Sequence, residues 1–417
     1  MGKLSHGELI QLMIQLSVML ALGRLMAEVA RKFKQPAVVG EIIAGIILGP
    51  TILGMIAPEW FDVLFPKIGN STLALDGFTR VAVVLLLFIA GLEVDLHIVF
   101  QQGKQALSTS FFGLIIPFFL GFIIPFLFPA FFGDTGGTDL LLFSLFMGTA
   151  MSISALPVIV RIMMDLKLFK TRIGMLVVAS AMVDDLIGWM IFSVILALIG
   201  KGHDFSIGYT ILLTLTFAIL MLTVGRGLLN RVLPWVNKKM AWPGGLLSLS
   251  MALCFLGAAF TEFIGIHAVF GAFMIGVALG DSEHLSEKAK EIVHQFINNI
   301  FAPLFFVGIG LKVNFLVNFD PWITLVIIVI AFAGKLIGCG IGARLGGFSP
   351  YESLAAGFGM NARGAMEIIL GLIALEAGLI TETIFVSLVI MALVTSISSG
   401  PFMKWALGKS DPSNEPR

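Results

Sequence analysis

Between Ile173 and Ile199 the chain is apolar except for one charged pair near its middle, Asp184 and Asp185. A stretch of this length crosses a bilayer as a helix. A charge at mid-membrane costs about 2.5 kcal/mol or more even on lenient insertion scales. The pair must therefore face a cavity or other protein, and the rest of the chain has to build that surrounding.

The segment is one of about thirteen such spans. They run over 8–30, 37–55, 75–93, 106–130, 139–164, 171–199, 206–232, 244–263, 266–281, 296–312, 321–345, 352–377 and 381–406. Charged residues make up only 12% of the chain and hydrophobic ones 58%, with mean hydropathy +1.01. That charge fraction is about half that of a soluble domain. The apolar runs lack strand-like alternation, so the fold class is an all-α polytopic membrane protein and not a barrel. Net charge is zero and no basic patch suggests nucleic acid. Cys254 and Cys339 both lie in apolar segments and imply no disulfide framework. The first span lacks a strong basic leader and reads as a retained helix, not a signal peptide. A polar stretch, Asp281 to His294, predicts an amphipathic surface helix between the ninth and tenth spans.

Basic residues test the count. With the amino terminus outside, inner loops and helix ends hold roughly nineteen basic residues and outer ones roughly five. The inner set includes Arg24, Arg31, Lys34, Lys104, Arg161, Lys170, Arg226, Lys238, Lys288 and Arg344; the outer set is Lys3, Lys67, Arg80, Lys201 and Lys312. Lys335 and Arg363 fit no loop.

About six spans on either side of a linker span (206–232) suggest two inverted six-helix repeats, a common transporter plan. Polar and Gly/Pro-rich breaks fall at corresponding places. Span five is interrupted by Thr149-Ala-Met-Ser-Ile-Ser154-Ala-Leu-Pro157, and span twelve by Gly357-Phe-Gly-Met-Asn361-Ala-Arg363-Gly364. Such paired breaks point to a midplane site made of two crossed discontinuous helices, where freed carbonyls can ligate a cation.

Asp184 and Asp185 are about 100° apart on a helix and face different neighbours. One can hold a structural partner while the other faces a cavity, where proton and metal cation compete for the same oxygens. Lys335, mid-span, needs a carboxylate and is expected to pair with Asp184 in the empty site. Gly334, Gly338, Gly342 and Gly346 form a stripe that permits close helix approach. Arg363 is expected to offset the carboxyl-terminal ends of the half-helices and to pair with Glu367 four residues on. Thr149, Ser152, Ser154 and Asn361 are candidate cation ligands or hydrogen bonders at the crossing point. Glu41, Glu93 and Glu262 read as satisfied end-of-helix groups.

The chain resembles the second monovalent cation/proton antiporter family. The stretches that carry this are Pro36–Pro50 (PAVVGEIIAGIILGP), Phe88–Asp95 (FIAGLEVD), Val183-Asp184-Asp185, Gly265–Phe273 (GIHAVFGAF), Leu304–Leu311 (LFFVGIGL), Gly334-Lys335 and Asn361-Ala-Arg-Gly364. The resemblance covers nearly the whole chain. It implies an NhaA-like fold, a homodimer, and an elevator movement of a core past a scaffold. Laid on this sequence, that gives scaffold and dimerisation helices over 1–103 and 241–319, core transport helices over 104–200 and 320–408, a linker helix over 201–240, and a short cytoplasmic tail at 409–417. By the same match Asp185 is the principal cation (Na+) and proton carrier and Asp184 pairs with Lys335, as in antiporters of NapA and NhaA type. That pattern goes with electrogenic exchange. Kef-type relatives usually carry Gln-Asp at the pair and a nucleotide-binding domain, so gated potassium efflux is not expected here.

The function so predicted is secondary exchange of Na+ or Li+ for H+ by alternating access, with no enzyme activity, no cofactor and no nucleic-acid partner. The expected setting is a bacterial inner membrane, with membrane lipids around the chain, the amino terminus outside and the carboxyl terminus inside. The first alternative is K+/H+ exchange or K+ efflux; the stretches around His267 and Asn361 also look like the plant cation/proton exchanger branch. A Na+-coupled symporter of the same architecture is more distant. An intramembrane aspartyl protease needs carboxylates face to face sharing a proton, which neighbours on one helix cannot provide.

Overall fold

In the computed structural model the described residues are 4–33, 35–133, 139–169, 171–199 and 207–409. Lys3, Lys34, Lys170, Lys201, the start of the expected linker and the tail beyond Lys409 lie outside them. Among the described residues the regular structure is helical, with no strand. Polar caps set where the apolar runs begin. Ser5 and Glu8 form a capping box, as do Ser349 and Glu352, and the Asp320 carboxylate accepts from the Trp322 and Ile323 N–H groups. Pro321 and Pro350 take the first helical position, where a missing N–H costs nothing.

The helices are α1 (His6–Lys32), α2 (Ala37–Leu48), α3 (Asn70–Leu92), α4 (Leu96–Leu127), α5 (Leu140–Ser152), α6 (Leu156–Asp165), α7 (Arg172–Ile199), α8 (207–239), α9 (Gly244–Phe263), α10 (Ala268–Gly280), α11 (Glu287–Lys312), α12 (Pro321–Leu345), α13 (Pro350–Met360), α14 (Ala365–Glu376) and α15 (Glu382–Leu407). Among the described residues, eleven spans are long and apolar enough to cross a membrane, and twelve when α13 and α14, bent by 47°, count as one. The chain is a multi-span integral membrane protein. The count falls just below thirteen because the expected span 266–281 is the 13-residue α10. Gly265, at φ +83°, ends the preceding turn and His267 caps the new helix, which leaves about 20 Å of helix against a hydrocarbon core of about 30 Å.

The polar stretch 281–294 is not a separate surface helix. Ser286 caps a helix at Glu287 that continues through a π turn at Ile297–Phe301 into Lys312. Ala289 and Val293 are its buried residues, so the polar segment is the amphipathic first part of α11. A similar π turn, Met221–Gly225, lies inside α8.

The chain divides into two compact units. One is drawn from Met1–Leu92 and Phe217–Phe319, the other from Glu93–Thr216 and Asp320–Arg417. In the first, α2 lies against α1 and α11. Gly45 and Gly49 meet the backbone of Val307 and Gly310, where any Cβ would overlap a carbonyl oxygen. Lys312 pairs with Asp76 at 3.0 Å and Arg226 with Asp281 at 2.8 Å. Glu41 on α2 is buried in this unit.

In the second unit α12 packs along α4. Gly334 sits on Pro117, Gly338 on the Phe112 carbonyl and Gly342 on the Ser108 carbonyl, so the two backbones nearly touch. Gly338→Ala is expected to destabilise the protein by about 1–3 kcal/mol through overpacking against backbone that cannot move aside. Gly340 has room for a Cβ, which would lie in ordinary contact 3.8 Å from the Ser353 carbonyl oxygen. Gly340→Ala should therefore leave the melting temperature in detergent unchanged or raise it slightly. Equal melting temperatures for the two variants would remove the close contact from the account.

Candidate ion-binding site

All the residues singled out for chemistry lie in the second unit and are buried. α7 carries Asp184 and Asp185, both 0% exposed. Consecutive positions on the helix send them different ways. Asp184 Oδ2 accepts from Lys335 Nζ of α12 at 2.7 Å, and Asp184 Oδ1 from Ser110 Oγ of α4 at 2.6 Å. Ser154 Oγ stands 3.3 Å from Oδ2 and 2.7 Å from the Met360 carbonyl oxygen. A hydroxyl has one proton, and the shorter contact takes it. Asp184 thus has a strong donor on each oxygen.

Asp185 is the opposite case. Neither carboxyl oxygen has a hydrogen-bond partner among the described residues. Asp184 and Glu93 are its acidic neighbours. A buried carboxylate without donors is compatible with its surroundings only when a proton or a cation neutralises it.

The two breaks meet. The Ala155 N–H donates to the Ala362 carbonyl at 2.9 Å, and the Ser154 hydroxyl to the Met360 carbonyl. Backbone groups released by one interruption are satisfied by the other, which is what a bilayer interior requires of non-helical chain. Arg363 reaches across to the end of α5. Its Nη1 donates to the Ala150 carbonyl at 2.6 Å and to Glu367 Oε2 at 3.1 Å, and its Nη2 to the Met151 carbonyl. The guanidinium therefore stands against the partial negative charge of a half-helix end. The Thr149 hydroxyl donates to the Leu145 carbonyl and the Ser152 hydroxyl to the Thr149 carbonyl, so both protons are spent within α5. Asn361, fully buried, has neither amide atom hydrogen-bonded among the described residues.

Two residues of this neighbourhood were not among the sequence candidates. Glu93, read as an end-of-helix group, is within electrostatic reach of Asp185. Ser110 had no distinguishing signal of its own. The hint was indirect: three hydroxyl residues, Ser108-Thr109-Ser110, stand in a span that faces the glycine stripe of Lys335.

A family profile described as "Sodium/hydrogen exchanger, transmembrane" matches residues 17–409. The chain is 32% identical over 398 residues to the Na(+)/H(+) antiporter NhaS4 of Synechocystis, covering 95% of this chain and 97% of that protein. It is 30% identical over 398 residues to the Na(+)/H(+)-K(+) antiporter GerN of Bacillus cereus, covering 95% and 96%. It spans about half the length of several cation/H(+) antiporters of Arabidopsis thaliana that it also matches. Among solved structures, the sodium proton antiporter MjNhaP1 from Methanocaldococcus jannaschii shares the fold, with a TM-score of 0.63 at 18% identity over 96% of this chain and 97% of that one. With a profile match across almost all of its length and relatives near a third identical from end to end, the chain belongs to the transmembrane sodium/hydrogen exchanger family.

Proposed function

We propose that the protein exchanges Na+ or Li+ for H+ across a membrane, with Asp185 as the group that carries cation and proton in turn. The observation that supports this most directly is the contrast between neighbours: Asp184 has donors on both oxygens, while Asp185 is buried with none. A cation at Asp185 displaces its proton, because the same oxygens serve both. The second unit, which holds the broken helices, is the core that moves; the first is the scaffold and carries the dimer contact. Access alternates by an elevator movement of that core.

Lys335 takes part in the charge balance. A cation beside Asp184 weakens the hold of that carboxylate on the ammonium, so the charge balance of the pair changes when the cation loads. The cation-loaded and proton-loaded forms differ in charge, and exchange is electrogenic. Asn361, with its amide unspent at the crossing, is the best placed of the neutral candidates to add a ligand.

K+/H+ exchange is the second reading. The relative GerN, whose name couples Na+/H+ and K+, is 30% identical to this chain over 96% of its length. Vesicles with an imposed pH gradient separate the two. Addition of Na+ or Li+ should collapse the gradient, while K+ or Rb+ should do so only at much higher concentration. Equal potency of K+ would move the assignment to the second reading, and flux indifferent to the gradient would remove exchange altogether. The proposed setting is a bacterial inner membrane with the amino terminus outside.

A further inference from the structure

We infer that Ser110 is a positioning residue, a neutral donor that keeps Asp184 in place while Lys335 is disengaged; the inference rests on the exchange reading above. Its hydroxyl donates to Asp184 Oδ1 at 2.6 Å, on the oxygen opposite to the one that Lys335 holds at 2.7 Å. The two donors come from different helices, α4 and α12. Of the two, the hydroxyl is the neutral one, so its bond to the carboxylate does not depend on the charge balance when a cation enters nearby.

The geometry departs from what a serine in a helix ordinarily does. Such a hydroxyl can donate back to a carbonyl one turn earlier, and the adjacent Thr109 does so, to the Gln105 carbonyl at 2.9 Å. Ser110 instead turns inward to the carboxylate and is 0% exposed. Its backbone position is held on both sides. Gly342 bears on Ser108 and Thr109, and Gly338 on Phe112 and Gly113, so α4 cannot shift along α12 without clash. The close helix packing thus serves the placement of one hydroxyl.

The consequence is differential. In the empty site Asp184 has two strong donors, and losing one leaves the lysine. In the cation-loaded site the lysine has let go, and losing the hydroxyl leaves the carboxylate unheld. Removal of the hydroxyl therefore weakens the loaded form more than the empty one and lowers cation affinity. A hydrogen bond to a charged acceptor corresponds to at least about a tenfold change.

Ser110→Thr and Ser110→Val test this, since they share a shape and differ in the hydroxyl. An adjoining apolar cavity of about 750 Å³, bounded by Phe111, Phe112, Val183 and Ile187, gives the added methyl room. In proteoliposomes Ser110→Val should raise the KM for Na+ about tenfold with kcat changed less than about twofold, and Ser110→Thr should stay within about twofold of wild type in both. Identical KM for the two variants, or a fall in kcat alone, overturns the inference. If Ser110→Val does not fold, Ser110→Ala against Ser110→Thr makes the same comparison. Failure of the exchange reading looks different: the wild type itself would show no Na+-driven proton movement.

Discussion

Proteoliposomes carrying Asp185→Asn are expected to show no sodium-driven change in internal pH. The side chain keeps its volume and loses its charge. A cation about 2.5 Å from a carboxylate oxygen gains roughly 6–7 kcal/mol at an effective dielectric near 20, and an amide offers only a fraction of that. Affinity should fall by at least about a thousandfold, at 1.4 kcal/mol per tenfold. The amide also cannot carry a proton. Stability should not fall with transport, because the Asp185 oxygens bond to nothing that the substitution would strand. A melting temperature at or above wild type, together with abolished exchange, is the combined expectation. Retained exchange would place the carrier elsewhere.

Lys335→Gln should have two separable effects. The first is on stability. The lysine and Asp184 are both 0% exposed and 2.7 Å apart, and removing one member of such a pair leaves a buried charge, at a cost of about 3–5 kcal/mol. Thermal unfolding in detergent should show this. The double variant Lys335→Gln with Asp184→Asn should recover much of the loss, since no charge is then stranded. The second effect is on current. In the proposed exchange Lys335 contributes the charge difference between the cation-loaded and proton-loaded forms; without the lysine that difference vanishes. Exchange that survives in Lys335→Gln should therefore move no net charge, as read by membrane-potential dye alongside internal pH. Unchanged charge movement would take Lys335 out of the charge balance.

Several parts of this site were legible because the membrane makes charge conspicuous. A lysine in the middle of an apolar span has few ways to be satisfied, so the sequence alone points Lys335 to Asp184 across 151 residues. Arg363 and Glu367 stand four apart, the spacing at which helix neighbours meet, and their 3.1 Å contact follows from that. The breaks announced themselves through Pro157 and through Asn361 to Gly364. Neutral groups were harder to read. A hydroxyl can always donate to its own helix, as Thr149 and Ser152 do, so nothing in the sequence separates Ser110 from them. Helix ends were blurred for a related reason. A π turn lets the polar Glu287–Phe296 stretch run straight into an apolar helix, and composition alone reads that junction as a gap. The short α10 has the apolarity of a span without its length.

The link between the two interruptions bears on how the chain is made. Ser154 and the carbonyl it reaches, Met360, are 206 residues apart. α5 and α6 are made well before α13, so the polar groups at their junction lack these partners until α13 follows. Each such group left bare in hydrocarbon costs several kcal/mol. The junction of α5 and α6 therefore needs water or other protein around its polar groups until the last helices are made.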